Sequence, residues 1–178
     1  MKILSTIIAF TILFAGVASA NQQELSRLCP EGLVSGWTVV KDSTTYGSGD
    51  GIVDIYNGGY EVYTNAGVTS ALRRMFQKGD VYVEVIAHRM RSAKHASDFL
   101  ATQYKRELKR DMMPVRTNRF LASGQGITVG YSAVGTHYFT VTTYATGNTA
   151  RQNVNTFLTE LGKKAAPPKS ATTGRVNP

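Results

Sequence analysis

The stretch that decides the fold runs from Gly51 to Gly67 and reads Gly51-Ile52-Val53-Asp54-Ile55-Tyr56-Asn57-Gly58-Gly59-Tyr60-Glu61-Val62-Tyr63-Thr64-Asn65-Ala66-Gly67. Read as strands, two β-forming runs flank Asn57-Gly58-Gly59, and Asn-Gly between such runs indicates a hairpin. Read as a helix, the apolar side chains recur every three or four residues, and Gly67 is the left-handed residue that ends it. The two interior glycines would cost a helix about 2 kcal/mol relative to alanine. Periodicity alone leaves both interpretations open.

A recognisable pattern surrounds this stretch. It comprises Trp37, the run Ile55-Tyr56-Asn57-Gly58-Gly59-Tyr60-Glu61-Val62-Tyr63, and Gly67, followed by a strand pair. In this pattern the chain resembles an uncharacterised family of exported bacterial proteins, over roughly Gly32 to Leu161. The resemblance implies a domain of unknown function without known catalytic residues. It also implies a helix in the decisive stretch, with Gly58 and Gly59 allowing close approach by the sheet. We therefore predict a helix rather than a hairpin.

The N-terminus has the features of a signal peptide. Lys2 supplies a positive charge, an apolar run follows, and Ala18-Ser19-Ala20 is a small-residue cleavage site. We predict that residues 1–20 are removed and that the mature chain, beginning at Asn21, is periplasmic or secreted. No transmembrane segment is expected after cleavage.

The rest of the chain divides by composition. We predict an N-terminal segment over residues 21–32, a single domain over residues 33–162 and a disordered tail over residues 163–178, which is rich in Ala, Pro, Lys, Ser and Thr. The chain has one cysteine, Cys29, so it has no internal disulfide. Two states of Cys29 stay open, a buried free thiol and a thiol paired with a partner chain.

Hairpins and helices alternate without a βαβ rhythm. Helices are predicted at residues 21–28, 92–109 and 149–161, and Asp42 to Gly51 is predicted to be a polar loop. Strands are predicted at residues 33–40, 68–77, 81–90, 115–122, 126–134 and 136–144. This order predicts an α+β domain with a single antiparallel twisted sheet of five or six strands and helices packed on it.

Catalytic and metal sites find little support in the sequence. There is no Gly-x-Ser-x-Gly elbow, and Glu84 and His88 stand too far apart on their strand for a direct acid–base pair. His95 and Asp98, three residues apart on a helix, could share a metal ion that His88 and His137 would join from neighbouring strands, but three scattered histidines are an ordinary number. We predict no catalytic residues, no metal and no cofactor, and favour a non-enzymatic role over an envelope enzyme with an unrecognised site.

The formal net charge is +8, and a cluster of cations begins on the helix predicted at residues 92–109 and continues beyond it. Its members are Lys105, Arg106, Lys109, Arg110, Arg116 and Arg119. We predict an exported envelope binding or accessory protein that presents this basic surface to an anionic envelope component or an acidic protein. A simple solvated face is the alternative. Nucleic acid is not an expected partner, because the aromatic interleaving of a stacking platform is absent from this run.

Tyrosines give an alternative function, a small-ligand pocket between the sheet and the decisive stretch. Aromatic rings with hydroxyl tips can orient a partly polar ligand. The predicted lining is Tyr56, Gly58, Gly59, Tyr60, Tyr63 and Tyr82, with Tyr131 and Tyr138 as further candidates. Packing at the edge of the core is the other explanation for tyrosines at these spacings.

Overall fold

The structure, a computed structural model, describes residues 20–56, 58–108, 111–116 and 118–167, with the backbone alone for 111–116. Its described strands form one antiparallel sheet in the order β1-β3-β4-β8-β7-β6-β5, with the eighth strand, β2, also paired to β3. The strands are β1 Thr38–Val39, β2 Thr45–Ser48, β3 Val68–Lys78, β4 Val81–Met90, β5 Asp111–Arg116, β6 Arg119–Gly124, β7 Ile127–Val134 and β8 His137–Thr143. The predicted α+β class is confirmed, whereas the predicted five or six strands are too few.

The two missed strands have physical reasons. β2 lies in the predicted polar loop, and it extends because it pairs with Ser70 to Arg73 of β3. Within it, Gly47 allows close contact with the following turn, since a Cβ atom there would lie 2.1 Å from the Gly51 carbonyl oxygen. The strand predicted at residues 115–122 is two strands, β5 and β6, which pair with each other.

Helices cover both faces of the sheet. The described helices are α1 over residues 20–28, a 3-10 helix Gly49–Ile55, α2 Glu61–Asn65, α3 Ala93–Glu107 and α4 Asn148–Ala165. The predicted start of α3 is confirmed, because the Ser92 hydroxyl accepts a hydrogen bond from the His95 amide. α4 continues to Ala165, three residues into the predicted tail. Residues 1–19 and 168–178, and with them most of the predicted signal peptide and tail, lie outside the described residues.

Each face of the sheet has its own core. On the first face, α1 and α4 pack on β3, β4 and β8, and Trp37 meets Phe157 edge-to-face with ring centroids 5.1 Å apart. On the second face, α3 and the 3-10 helix pack on the same strands, and Phe99 lies against Tyr138. The alternation along β4 positions both cores, since Val83, Val85 and Ala87 face the first, and Ile86 faces the second. No helix of the described part is long and apolar enough to cross a membrane.

The decisive stretch is neither a hairpin nor one continuous helix. The 3-10 helix and α2 are separated at Gly58 and Gly59, whose φ angles are +90° and +69°. Such left-handed backbone favours glycine and interrupts a helix. A Cβ atom on either glycine would meet no described atom within 4 Å, so the predicted close approach by the sheet is wrong. Gly67, with φ +97°, is left-handed at the end of α2 as predicted.

Candidate functional site

A cavity of about 390 Å³ lies on the second face of the sheet, beyond the C-terminal end of α3. Strands β3, β4, β7 and β8 form its floor, and the 3-10 helix, α2 and the last turn of α3 form its walls. We call it the tyrosine cavity. Its lining residues are Ile55, Tyr56, Tyr63, Arg73, Glu84, Ile86, Arg106, Glu107, Ile127, Val129, Tyr131, Thr140, Thr142 and Tyr144.

The floor is polar because of strand register. Glu84 on β4 lies opposite Thr142 on β8, and Thr140 on β8 lies opposite Tyr131 on β7. Directly opposite residues on one face of an antiparallel sheet have side chains in contact range. A carboxylate, two hydroxyls and a phenol therefore sit together on a sheet face that elsewhere packs against α3.

Tyr56 is held by a buried histidine beneath the cavity. His88 is fully buried, and its Nδ1 lies 2.9 Å from the Tyr138 carbonyl oxygen. Burial lowers the pKa of His88 to about 4, so the ring is neutral at pH 7. A carbonyl only accepts, so Nδ1 carries the proton and Nε2 accepts from the Tyr56 hydroxyl. The Tyr56 hydroxyl therefore donates its hydrogen bond to His88 Nε2. The lone pairs of the phenol oxygen can still accept hydrogen bonds.

Tyr63 extends this group into the wall. Its ring is stacked on the Tyr56 ring, with centroids 3.8 Å apart and planes 12° from parallel. Burial, and then the neighbouring Tyr63 and Glu84, raise the pKa of Tyr56, so a phenolate nucleophile is disfavoured. Both rings act as neutral, preorganised surfaces.

The carboxylates of the cavity each have a cationic neighbour. Burial raises the pKa of Glu84, and the positive charge of Arg73 opposes that shift. Glu107, on the last turn of α3, is buried and accepts a hydrogen bond of 2.9 Å from the Tyr131 hydroxyl. The Arg106 guanidinium lies 3.6 Å from the same carboxylate oxygen.

The predicted pocket residues separate into two groups. Tyr56 and Tyr63 line the tyrosine cavity, as does the further candidate Tyr131. Tyr60 packs against the second core without lining the cavity, and the Tyr82 ring, 42% exposed, lies outside the lining. The remaining predicted members are Gly58 and Gly59, which are exposed in the turn before α2, and the further candidate Tyr138, which is buried in the second core.

Sequence reasoning missed most of the polar lining. The missed residues are Arg73, Glu84, Glu107, Thr140 and Thr142 as members of one site. The sequence held two signals, the alternation that places Thr140 and Thr142 on one face of β8 and the face of β4 that mixes Glu84 and His88 with apolar residues. The structure connects Glu84 and His88 through Tyr56. The Tyr56 hydroxyl bonds to His88, and the nearby charge of Glu84 contributes to the raised pKa of that hydroxyl.

The described members of the predicted basic surface lie in different surroundings. Lys105 and Arg106 are neighbours on α3, yet Arg106 lines the tyrosine cavity and Lys105 borders a separate groove. Arg119 donates a 2.9 Å hydrogen bond to the Thr159 hydroxyl of α4. Lys109 and Arg110 lie outside the described residues, as does the side chain of Arg116. The basic surface stays a prediction.

A second groove, of about 570 Å³, runs along α3 beside β6. Its walls are mainly apolar, with Leu100, Tyr104 and Phe120, and Lys105 and Arg119 are its ionisable residues. Among the described residues, no three His, Cys, Asp or Glu side chains converge as metal ligands would. The tyrosine cavity, by contrast, combines a concave shape with ionisable groups whose pKa values are shifted. This arrangement is typical of functional sites.

No family model matches the chain, and no curated protein is similar to it. Among solved structures, the chain is similar to the extracellular domain of PknH from Mycobacterium tuberculosis, with a TM-score of 0.47 and 16% sequence identity. The similarity covers 79% of this chain and 91% of that domain.

Proposed function

We propose that the protein is an exported binding protein that holds a small, partly polar molecule in the tyrosine cavity. The observation that carries the proposal is the convergence of Tyr56, Tyr63, Glu84 and Arg106, from separate elements, on one cavity of about 390 Å³. Ligand pockets commonly have volumes of about 300–1,000 Å³ and combine apolar walls with a few placed polar groups. The walls here are stacked tyrosines, and the floor supplies the polar groups.

Preorganisation supports binding over simple core packing. The Tyr56 hydroxyl is fixed by His88, and the Tyr131 hydroxyl by Glu107. Fixed polar groups lose little freedom when a ligand arrives, which favours affinity. A packing-only surface would place apolar side chains where Glu84 and the paired threonine lie.

The test is a screen of small polar metabolites by thermal shift and tyrosine fluorescence, followed by two variants. Tyr63→Ala removes a cavity wall, and Tyr82→Ala removes an exposed tyrosine outside the lining. We expect a compound whose affinity falls about tenfold or more in Tyr63→Ala and is unchanged in Tyr82→Ala. No binding compound, or equal binding by a folded Tyr63→Ala, would refute the proposal.

Export rests on the sequence of residues 1–20, with its charged start, apolar run and small-residue site. Intact-mass measurement of the protein from the producing cells should show a chain that begins at Asn21. A mature form that retains Met1 to Ala20 would contradict this part of the proposal.

One observation favours a second candidate, acid–base catalysis in the same cavity. Glu84 is half-buried, burial raises the pKa of its carboxyl, and a carboxyl with a shifted pKa in a cleft is typical of acid–base sites. Incubating the protein with any bound compound separates the candidates. Conversion that disappears in Glu84→Gln indicates an enzyme, and unchanged compound indicates a binding protein.

A further inference from the structure

The ionisable groups of the tyrosine cavity balance in charge. Arg73 acts on Glu84, and Arg106 lies 3.6 Å from Glu107, so each guanidinium has a carboxylate neighbour. An anionic ligand would be attracted by the guanidinium groups and repelled by the carboxylates, and a cationic ligand would meet the reverse. The cavity therefore selects against net charge in its ligand.

The same lining carries both hydrogen-bond donors and hydrogen-bond acceptors. Carboxylates only accept, guanidinium groups only donate, and the hydroxyls of Thr140 and Thr142 do both. The Tyr56 hydroxyl donates to His88 Nε2, so only its oxygen lone pairs are left for a ligand and it acts there as an acceptor. Adjacent hydroxyls on a ligand, each a donor and an acceptor, can satisfy such a lining, whereas an apolar ligand would leave its polar groups unpaired.

Tyrosines supply the complementary flat surface. Tyr56 and Tyr63 form a nearly parallel pair in which each ring covers one face of the other, so a ligand can meet only the remaining faces of the pair, and Tyr144, 69% exposed, also lines the cavity. The C–H face of a pyranose ring packs on aromatic rings, while its hydroxyl edge points to polar groups.

We propose that the ligand is a neutral carbohydrate, a monosaccharide or short oligosaccharide, with its ring against Tyr63 and its hydroxyls on Glu84, Arg73 and the Glu107–Arg106 pair. This inference rests on the proposed binding function and names its ligand class.

The test is saturation-transfer NMR with the purified protein and three sets of probes at millimolar concentration. The neutral sugars are glucose, galactose, mannose, N-acetylglucosamine and maltose. Glucuronate and glucosamine are the charged counterparts, and phenylacetate is the non-sugar control. We expect saturation transfer to at least one neutral sugar and weaker transfer to its charged counterparts.

Three variants assign the binding to the cavity. Glu84→Gln keeps the shape but removes the negative charge that offsets Arg73 in the cavity, so the affinity for the neutral sugar should fall about tenfold while that for glucuronate rises. Thr142→Val is a milder change of the same floor and should weaken the sugar alone. Asp98→Asn, on the exposed side of α3 where it pairs with Lys94, should change neither affinity.

The outcomes separate the inference from the function beneath it. Preferential binding of glucuronate, glucosamine or phenylacetate, lost on Tyr63→Ala, overturns the carbohydrate inference and leaves the binding function standing. Sugar binding that is indifferent to both Glu84→Gln and Thr142→Val also overturns it. Absence of binding by every probe, together with an empty metabolite screen, overturns both.

Discussion

Replacing His88 should flatten the acid dependence of stability, and the magnitude follows from its burial. The pKa of the buried ring is about 4, against an ordinary value of 6.5, because burial disfavours the imidazolium. Between these values the unfolded chain binds a proton that the folded chain excludes, so stability falls as the pH falls from about 6.5 to about 4. At about 1.4 kcal/mol per pH unit, His88 removes about 3 kcal/mol over this window. Above pH 6.5 its contribution to stability is fully retained.

The assay is urea unfolding at a series of pH values between about 4 and 7 for the wild type and His88→Gln. The variant should be less stable near neutrality, since it loses hydrogen bonds to Tyr138 and Tyr56. Its loss of stability on acidification should nevertheless be smaller by about 3 kcal/mol. Other titrating groups contribute equally to the wild type and to His88→Gln, so their effects cancel in the difference between the two curves. Glu84 is one of these groups, and its raised pKa makes stability rise on acidification.

Tyr56→Phe is the matched control. It removes the hydroxyl bonded to His88 but leaves the imidazole buried, and burial is what lowers the pKa of His88, while the hydrogen bond to the Tyr138 carbonyl acts in the opposite direction. Tyr56→Phe should therefore keep the wild-type acid dependence. Parallel stability curves for wild type and His88→Gln would refute the reasoning. If His88→Gln does not fold, an NMR titration of wild-type His88 that shows protonation near pH 6.5 would refute it equally.

Two further predictions concern the first face of the sheet. Cys29 is fully buried, and burial raises the pKa of its thiol to about 12. We therefore expect the native protein not to react with Ellman's reagent at pH 8 and the denatured protein to react fully. Equal reaction rates for the two forms would contradict this prediction. Gly130→Ala would place a Cβ atom 2.5 Å from Val154 and 2.7 Å from Leu158 on α4. Urea unfolding should therefore show that the free energy of unfolding falls by about 1–3 kcal/mol. An unchanged free energy of unfolding would mean that α4 moves aside without cost.

The sequence predicted what depends on local pattern. The predicted bounds of β4 are the observed ones, because alternating apolar residues between turn signals set both its length and its faces. β2 was missed because Thr45-Tyr46-Gly47-Ser48 has no apolar alternation, and its extended backbone depends on pairing with β3. The helical period in the decisive stretch was real, yet the left-handed angles at Gly58 and Gly59 divide it, and composition does not reveal which glycines take such angles.

The polar cavity depends on contacts between distant residues, which explains why only its tyrosines were predicted. Arg73, Glu84 and Glu107 belong to β3, β4 and α3, and each taken alone is consistent with an exposed side chain. Strand register brings the first two onto one face, and the end of α3 brings the third. Strand spacing predicts that Glu84 and His88 are too far apart for a direct acid–base pair. It does not predict that Tyr56, from a different element, bonds to His88 and lies near Glu84.

The position of this polar group in the sheet argues for a site rather than a tolerated imperfection. β4 and β8 are interior strands, and on either side of the group the same face is sealed by α3 and the 3-10 helix. Burial raises the pKa of Glu84, because it disfavours the charged carboxylate. The buried charge therefore opposes folding at neutral pH. Apolar replacements that extend the second core over Glu84 and Thr142 should therefore stabilise the fold while they abolish binding. The test is a Glu84→Leu/Thr142→Val double variant. If it melts at a higher temperature than the wild type but binds no ligand, the polar group lowers the stability of the fold and serves binding. A double variant that is destabilised would mean that the polar group is needed by the fold itself.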